Sequence, residues 1–308
     1  MAGTMIKSGD KLPSELRDLR EEMALLSPTD TPLTSILLAR GQVVPAQDIN
    51  VSWREKELNT TRGTLIVEGA EAGNPIKSKR EMKSNICQIL EKVTSISGTS
   101  NALRPYGIGD EFQMELQDRM AELKRDLEWY FINGVKATES GPTPRQMNGL
   151  LKLIHADNQI TLESEDVLTE DVLIDGMQKI WESGSHGEYF LFANATEKRI
   201  INKLLRDAST TTVEAKAGEN AIGVMVQRVE TDFGTINIVL DRHLPEKTIF
   251  CVDMNMVEIA ELRPAFYEEL AKTGDYRKGH VIVESTIKLL NSKAGFVITG
   301  VKDTPEMA

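Results

Sequence analysis

This chain has little of several things that would each have pointed to a particular trade. Residues 1–23 hold no apolar core followed by a small-residue cleavage site, so no secretory leader is read there. No apolar run approaches the ~18 residues of a membrane span, and the expectation is a protein made and used in a cytoplasm, with no membrane partner. Cysteine is nearly missing. Cys87 and Cys251 stand far apart, which without an export signal predicts two reduced, apolar side chains and no disulfide. The four histidines, His155, His186, His243 and His280, never stand at the i, i+4 spacing of a helical zinc site, so neither a metal nor another cofactor is expected. Positive charge is in deficit too: a net charge of −11 argues against a surface built to neutralise nucleic-acid phosphates.

Enzyme signatures fail on context. Asp232-Phe233-Gly234 copies a kinase magnesium motif, but no glycine-rich phosphate loop or catalytic-loop Asp precedes it, and Asp with Gly reads as a hairpin turn. Lys272-Thr273-Gly274 copies part of a penicillin-binding signature. Its partner spacing, Ser285 with Lys288, follows instead of preceding, and Ser8 with Lys11 lies in a polar tail. Carboxylates are abundant, yet none forms a selected acid–base pair. No catalytic residue is assigned.

What is present is the balance of a soluble globular protein, 40% hydrophobic against 27% charged, with 308 residues to build one or two cores. Residues 1–45 carry Pro13, Pro28, Pro32 and Pro45 around Leu33, Ile36, Leu37 and Leu38. Those prolines favour an extended arm with one or two helical turns, and an arm this apolar has something to lie on. From Gln47 to Ile96 polar residues alternate with β-branched ones between Gly63, Gly69, Gly73, Asn74 and Pro75. The pattern predicts a long two-stranded β excursion, poor in large apolar residues at its middle. Isolated two-stranded hairpins are marginal in water, so this one is expected to rest on a neighbouring molecule. Lys77, Lys79, Arg80 and Lys83 form a basic cluster with two open readings: a solvated loop, or a contact with an acidic patch on another copy.

The strongest local signal lies at 108–134. Phe112, Leu116, Met120, Leu123, Leu127 and Tyr130 or Phe131 recur at spacings of four, four, three, four and three, one face of a helix. Asp110 is placed to cap it and Gly134 to end it, and Glu115 with Arg119 and Lys124 with Glu128 stand four apart. Such a helix is roughly 35–40 Å long, a strut. The linker at 139–149, with two prolines and two glycines, marks a boundary. Beyond it the pattern predicts helices at 169–183 and 196–208 and a buried strand at 189–194. A β-meander is expected from Ile222–Val229 through 236–240 to 248–253, then a closing hairpin of 280–291 with 295–301. The class is α+β.

Several motifs in order resemble the major head proteins of tailed bacteriophages. They are Ser97-Gly98-Thr99, Tyr106-Gly107, residues 122–128, Arg145-Gln-Met-Asn-Gly-Leu150, Thr231-Asp-Phe-Gly234, Leu240-Asp-Arg242, Leu262-Arg263 and Leu270-Ala-Lys-Thr-Gly-Asp275, and together they span about residues 30–301. The resemblance implies the Hong Kong 97-type capsid fold and supplies names for its parts. Residues 1–45 become the N-arm, 46–92 the extended β-hairpin E-loop, and 93–144 the P-domain with its spine helix at 108–134. Residues 145–258 become the A-domain, 259–291 the return of the P-domain, and 292–308 a final A-domain strand with the C-terminal tail.

The function implied is a structural one: hexamers and pentamers self-assembling into an icosahedral shell around double-stranded DNA held without sequence-specific contacts. An encapsulin-like shell is the alternative, and a hydrolase a more distant one. The acidic charge has two open readings, an inner wall along which DNA slides without sticking, or plain solubility. The partners implied are copies of the chain, a portal, decoration proteins and a separate scaffolding protein, since only about thirty residues precede the first matching stretch. The virion is the implied destination, after assembly in the cytoplasm of a bacterial host. Contacts between subunits are expected at Trp53, Arg54, Glu68, Lys77, Lys79, Arg80, Lys83, Leu33 and Ile36, and a Lys–Asn weld of the kind some such shells carry would fall at Lys56 or Lys77.

Overall fold

The computed structural model describes residues 29–63, 65–103, 110–163, 166–207, 213–215 and 226–302. Chain order begins with α1 (Pro32–Ala39), β1 (Val43–Pro45), β2 (Asn50–Glu57), β3 (Lys79–Ile86), β4 (Gln88–Ser97), α2 (Gly98–Ala102) and the long α3 (Glu111–Asn133). Then come α4 (Leu150–Leu153), β5 (Gln159–Thr161), α5 (Glu170–Glu182), β6 (Tyr189–Ala193), α6 (Ala195–Asp207), β7 (Val213–Ala215), β8 (Val226–Thr231) and β9 (Gly234–Leu240). The last elements are β10 (Thr248–Asp253), β11 (Val257–Glu269), β12 (Tyr276–Leu289) and β13 (Gly295–Thr299). The expected first part of the arm, Tyr106-Gly107, Ile222 to Met225 and the C-terminal tail from 303 lie outside the described residues.

The strut forms as its periodicity requires. Asp110 accepts from Phe112 N at 3.0 Å and Gln113 N at 3.3 Å, satisfying two amides that a helix start leaves unpaired. Its apolar stripe, Leu116, Leu123 and Leu127, meets Leu90, Val281, Val283 and Tyr267 on one face of a four-stranded sheet ordered β1-β11-β12-β4. Gly134 ends it for want of room: a side-chain carbon there would stand 2.6 Å from the carbonyl oxygen of Met147.

A second sheet of seven strands, ordered β5-β13-β10-β6-β9-β8-β7, has a hydrophobic core on each side. In β10 every residue is buried, so alternation sends Ile249 and Cys251 to one side and Phe250 and Val252 to the other. The first side receives Met177 and Ile180 of α5 and Ile201 and Leu205 of α6. The second side receives Leu33 and Leu37 of α1, Phe131 and Ile132 of α3, and Ile259 and Ile287 of the other sheet, which joins the two sheets through one core. Phe192 and Phe250 stack there with ring centres 4.8 Å apart.

Three expectations need correction. The meander is interrupted, because β6 lies between β9 and β10, parallel to the first and antiparallel to the second. The closing hairpin is not formed: β12 pairs with β11 and β4, whereas β13 pairs with β10 and β5. The β excursion ends at Ile86, since β4 leaves it to pair along its length with β12. Burial outweighs sequence adjacency here: the fully buried β10 takes the largely buried β6 and β13 as its two partners, and β4 pairs with β12 over ten residues. Both cysteines are fully buried and free, and burial pushes the Cys87 thiol up to about 11.

Candidate assembly surface

Outside both sheets, β2 and β3 pair, among the described residues, only with each other, from Asn50 opposite Ile86 to Glu57 opposite Lys79, a ribbon of about 26 Å. Its root is fixed to the body. Asn85 is fully buried; its amide donates to the carbonyls of Asn148 at 2.9 Å and Ile287 at 2.8 Å and accepts from Asn148 N. Glu55 accepts from both the amide and the hydroxyl of Ser292, at 2.7 and 3.0 Å. Below them Glu284, nearly buried, holds Arg145 and Arg263, and Arg145 also donates to the Cys87 carbonyl at 2.8 Å.

Beyond Glu57 these ties stop. The hydrogen bonds of the tip among the described residues are local ones, such as Ala70 N to the Val67 carbonyl. Leu65 is 98% exposed and Val67 80%, and Leu58, Ile66 and Ile76 are exposed with them. Each large aliphatic side chain left in water forgoes about 1.5–3 kcal/mol, so the segment is unfinished as an isolated structure.

The structure distributes the expected contact residues unevenly. Arg54, Glu68, Lys77, Lys79 and Arg80 are exposed on the ribbon, and Trp53 and Lys83, opposite each other in the ladder, are half-buried. Lys83 pairs with Glu81 at 2.8 Å and holds that carboxyl below its usual range. Lys77, Lys79 and Arg80 make no ion pair among the described residues. Leu33 and Ile36 are placed differently: Leu33 is fully buried in this chain's own core and Ile36 packs against it, so their contacts are internal. The apolar triplet Leu65-Ile66-Val67 was not singled out in the sequence. A run of three large aliphatics between Gly63 and Gly69, in a segment without a core, was the signal.

A second exposed surface lies on the four-stranded sheet, on the face turned from α3. Ile89 and Val93 of β4, Ile282 of β12 and Phe266 of β11 form a partly exposed apolar stripe across three strands. Carboxylates of Glu91 and Glu268 flank it, gathered on His280.

As a whole this arrangement is similar to solved capsids. The chain is similar to the Cyanophage A-1(L) capsid, with a TM-score of 0.72 at 11% identity over 94% of this chain and 98% of that one. It is similar to the capsid of a native GTA particle, with a TM-score of 0.67 at 14% identity over 98% and 100%. The holo-SrpI encapsulin complex from Synechococcus elongatus PCC 7942 follows at 0.57 and 11% identity over 93% and 95%. The class is thereby defined as the Hong Kong 97-type capsid fold. In sequence, 118 residues are 36% identical to the major capsid protein of Escherichia phage Phieco32, covering 38% of this chain and 32% of that relative's length. The family model for SU10 major capsid proteins matches residues 3–302, and the chain belongs to that family. It is a structural family and not one of enzymes.

Proposed function

We propose that the chain is the repeating subunit of a tailed-phage head, an icosahedral shell of hexamers and pentamers around double-stranded DNA. The observation that carries this reading is the ribbon: anchored at its root by buried polar groups, it presents Leu65, Ile66 and Val67 with nothing among the described residues to cover them. Residues to 45 act as the N-arm and 46–86 as the E-loop. β4, α3, β11 and β12 act as the P-domain, with α3 as its spine, and the seven-stranded sheet as the A-domain near the symmetry axes. The E-loop tip of one subunit lies on the open sheet face of the next. There its aliphatics cover Ile89, Val93, Ile282 and Phe266, while Lys77, Lys79 and Arg80 meet Glu91 and Glu268.

Each such contact is modest, but closed symmetry repeats it over the shell. The acidic subunit encloses DNA without reading its sequence. A portal and a separate scaffolding protein take part in assembly in the host cytoplasm, and decoration proteins occupy the exterior where present. Electron microscopy of the chain expressed alone and with its scaffold tests this: closed shells or capsomers are expected, and a persistent monomer under all assembly conditions overturns it. The encapsulin likeness favours one other reading, a shell around enzymes; recovery of the chain from DNA-filled virions at hundreds of copies rejects it.

A further inference from the structure

The strut carries one carboxylate where its helical face should be apolar. Glu128 is fully buried, and instead of pairing with Lys124 four residues back it turns to the arm. It accepts from Leu33 N at 2.7 Å, from Thr34 N at 2.8 Å and from the Thr34 hydroxyl, all at the start of α1. A carboxylate at a helix N-terminus is well placed for charge, because the first amides have no partners within the helix. Lys124 reaches Ser35 Oγ instead, at 3.3 Å.

A second carboxyl group makes this more than a cap. Asp241, 1% exposed just beyond β9, lies beside Glu128. One of its oxygens accepts from His243 N at 2.8 Å, and the other, Oδ2, is buried with no donor among the described residues. An acceptor buried without a donor costs about 1–3 kcal/mol. A proton on the facing carboxyl is the donor the site lacks. The remaining charges around it point elsewhere: Arg242 and His243 both bind Asp30, through its carboxylate at 3.0 Å and its carbonyl at 3.2 Å. Among the described residues no cation forms an ion pair with either carboxyl, although the nearby His243 favours the ionised form of Asp241.

We infer that Glu128 and Asp241 share one proton at neutral pH, and that this pair is a pH-dependent clasp holding the arm helix α1 across the junction of α3 and the seven-stranded sheet. The clasp concerns a single subunit and stands or falls apart from the shell reading. Burial, with a smaller contribution from Asp241, pushes the Glu128 carboxyl up to about 7, and burial raises Asp241 as well. A carboxyl raised in the docked state favours docking most below its free pKa, and the advantage is lost as pH rises through the docked one. Docking of α1 therefore weakens as pH rises from the ordinary carboxyl range to about pH 7, by about tenfold per pH unit for one proton, and levels off above it.

The test is amide hydrogen exchange of residues 32–39 in the purified full-length chain from about pH 5 to about pH 9, corrected for intrinsic exchange. In the wild type, protection of α1 should fall about tenfold per unit as pH rises to about 7, the midpoint of Glu128 ionisation in the docked state, and level off above it, while α5 and β10 stay protected. Glu128→Gln, which carries its own donor, should flatten that dependence. Asp241→Asn should move the midpoint to lower pH, because its amide donates to an ionised Glu128. Infrared difference spectra of the wild type, independent of how either variant folds, should lose a protonated-carboxyl band over the same interval. Constant α1 protection, an undiminished dependence in Glu128→Gln, an unmoved midpoint in Asp241→Asn or no such band would each overturn the clasp.

Discussion

The seven-stranded sheet and the ribbon are both β-structure, yet they close their energetics in opposite ways. In the sheet, β10 lies between two partners and buries all its side chains within the chain. In the ribbon, β2 and β3 have one partner each and leave most side chains exposed. A strand buried on both faces is stabilised where it is made; a two-stranded ribbon is stabilised where it is used. The division follows the work of a shell subunit, which must fold before it meets its neighbours and must keep surface in reserve for them.

The largest effect on the isolated subunit should come from the sheet. Phe250→Ala removes one of two stacked, fully buried rings and should cost about 3–5 kcal/mol in denaturant unfolding. Glu284→Gln, which leaves Arg145 and Arg263 without their shared carboxylate, should cost about 2–4 kcal/mol, less than a fully buried pair because Arg263 is part-exposed. If Phe250→Ala proved neutral, the contrast between the two regions would collapse.

The root lies between these extremes. Glu55→Gln weakens two charge-assisted hydrogen bonds to Ser292 and should cost about 1–2 kcal/mol. Its effect should appear as faster exchange confined to β2 and β3, with body strands unchanged. Equal loss of protection in both sheets would mean that the root is part of the global core.

How much of this could be read in advance divides along the same line. The strut, its Asp110 cap, the Glu115–Arg119 pair and the Thr231–Gly234 turn are local, and each was legible because the partners stand within four residues. The pairing of β4 was not. The string from Gln88 to Ser97 alternates as a ribbon strand would, and its partner β12 lies some 180 residues away, so period alone could not choose between them. Leu33 had the same ambiguity, since an apolar arm residue looks alike whether its cover is its own chain or another. Glu128 was hidden more thoroughly: on a charged helix it passes for a surface partner of Lys124, and only the arm folded over it reveals that it is buried.

The smallest expected effect on the subunit is the sharpest trial of the contrast. Replacing Leu65, Ile66 and Val67 together by serine alters side chains that touch little in the isolated chain, so subunit stability should change by no more than about 0.5 kcal/mol. Assembly should be lost all the same. If each tip forgoes about 1.5–3 kcal/mol per aliphatic side chain it would have covered, and every copy in the shell forgoes it, the deficit repeats with the symmetry. Paired measurements separate the alternatives: denaturant midpoints of the monomer and particle yield by sedimentation. Unchanged midpoints with no particles are expected. A destabilised monomer would mean that the tip packs on its own chain, and normal particles would mean that the neighbour is gripped elsewhere.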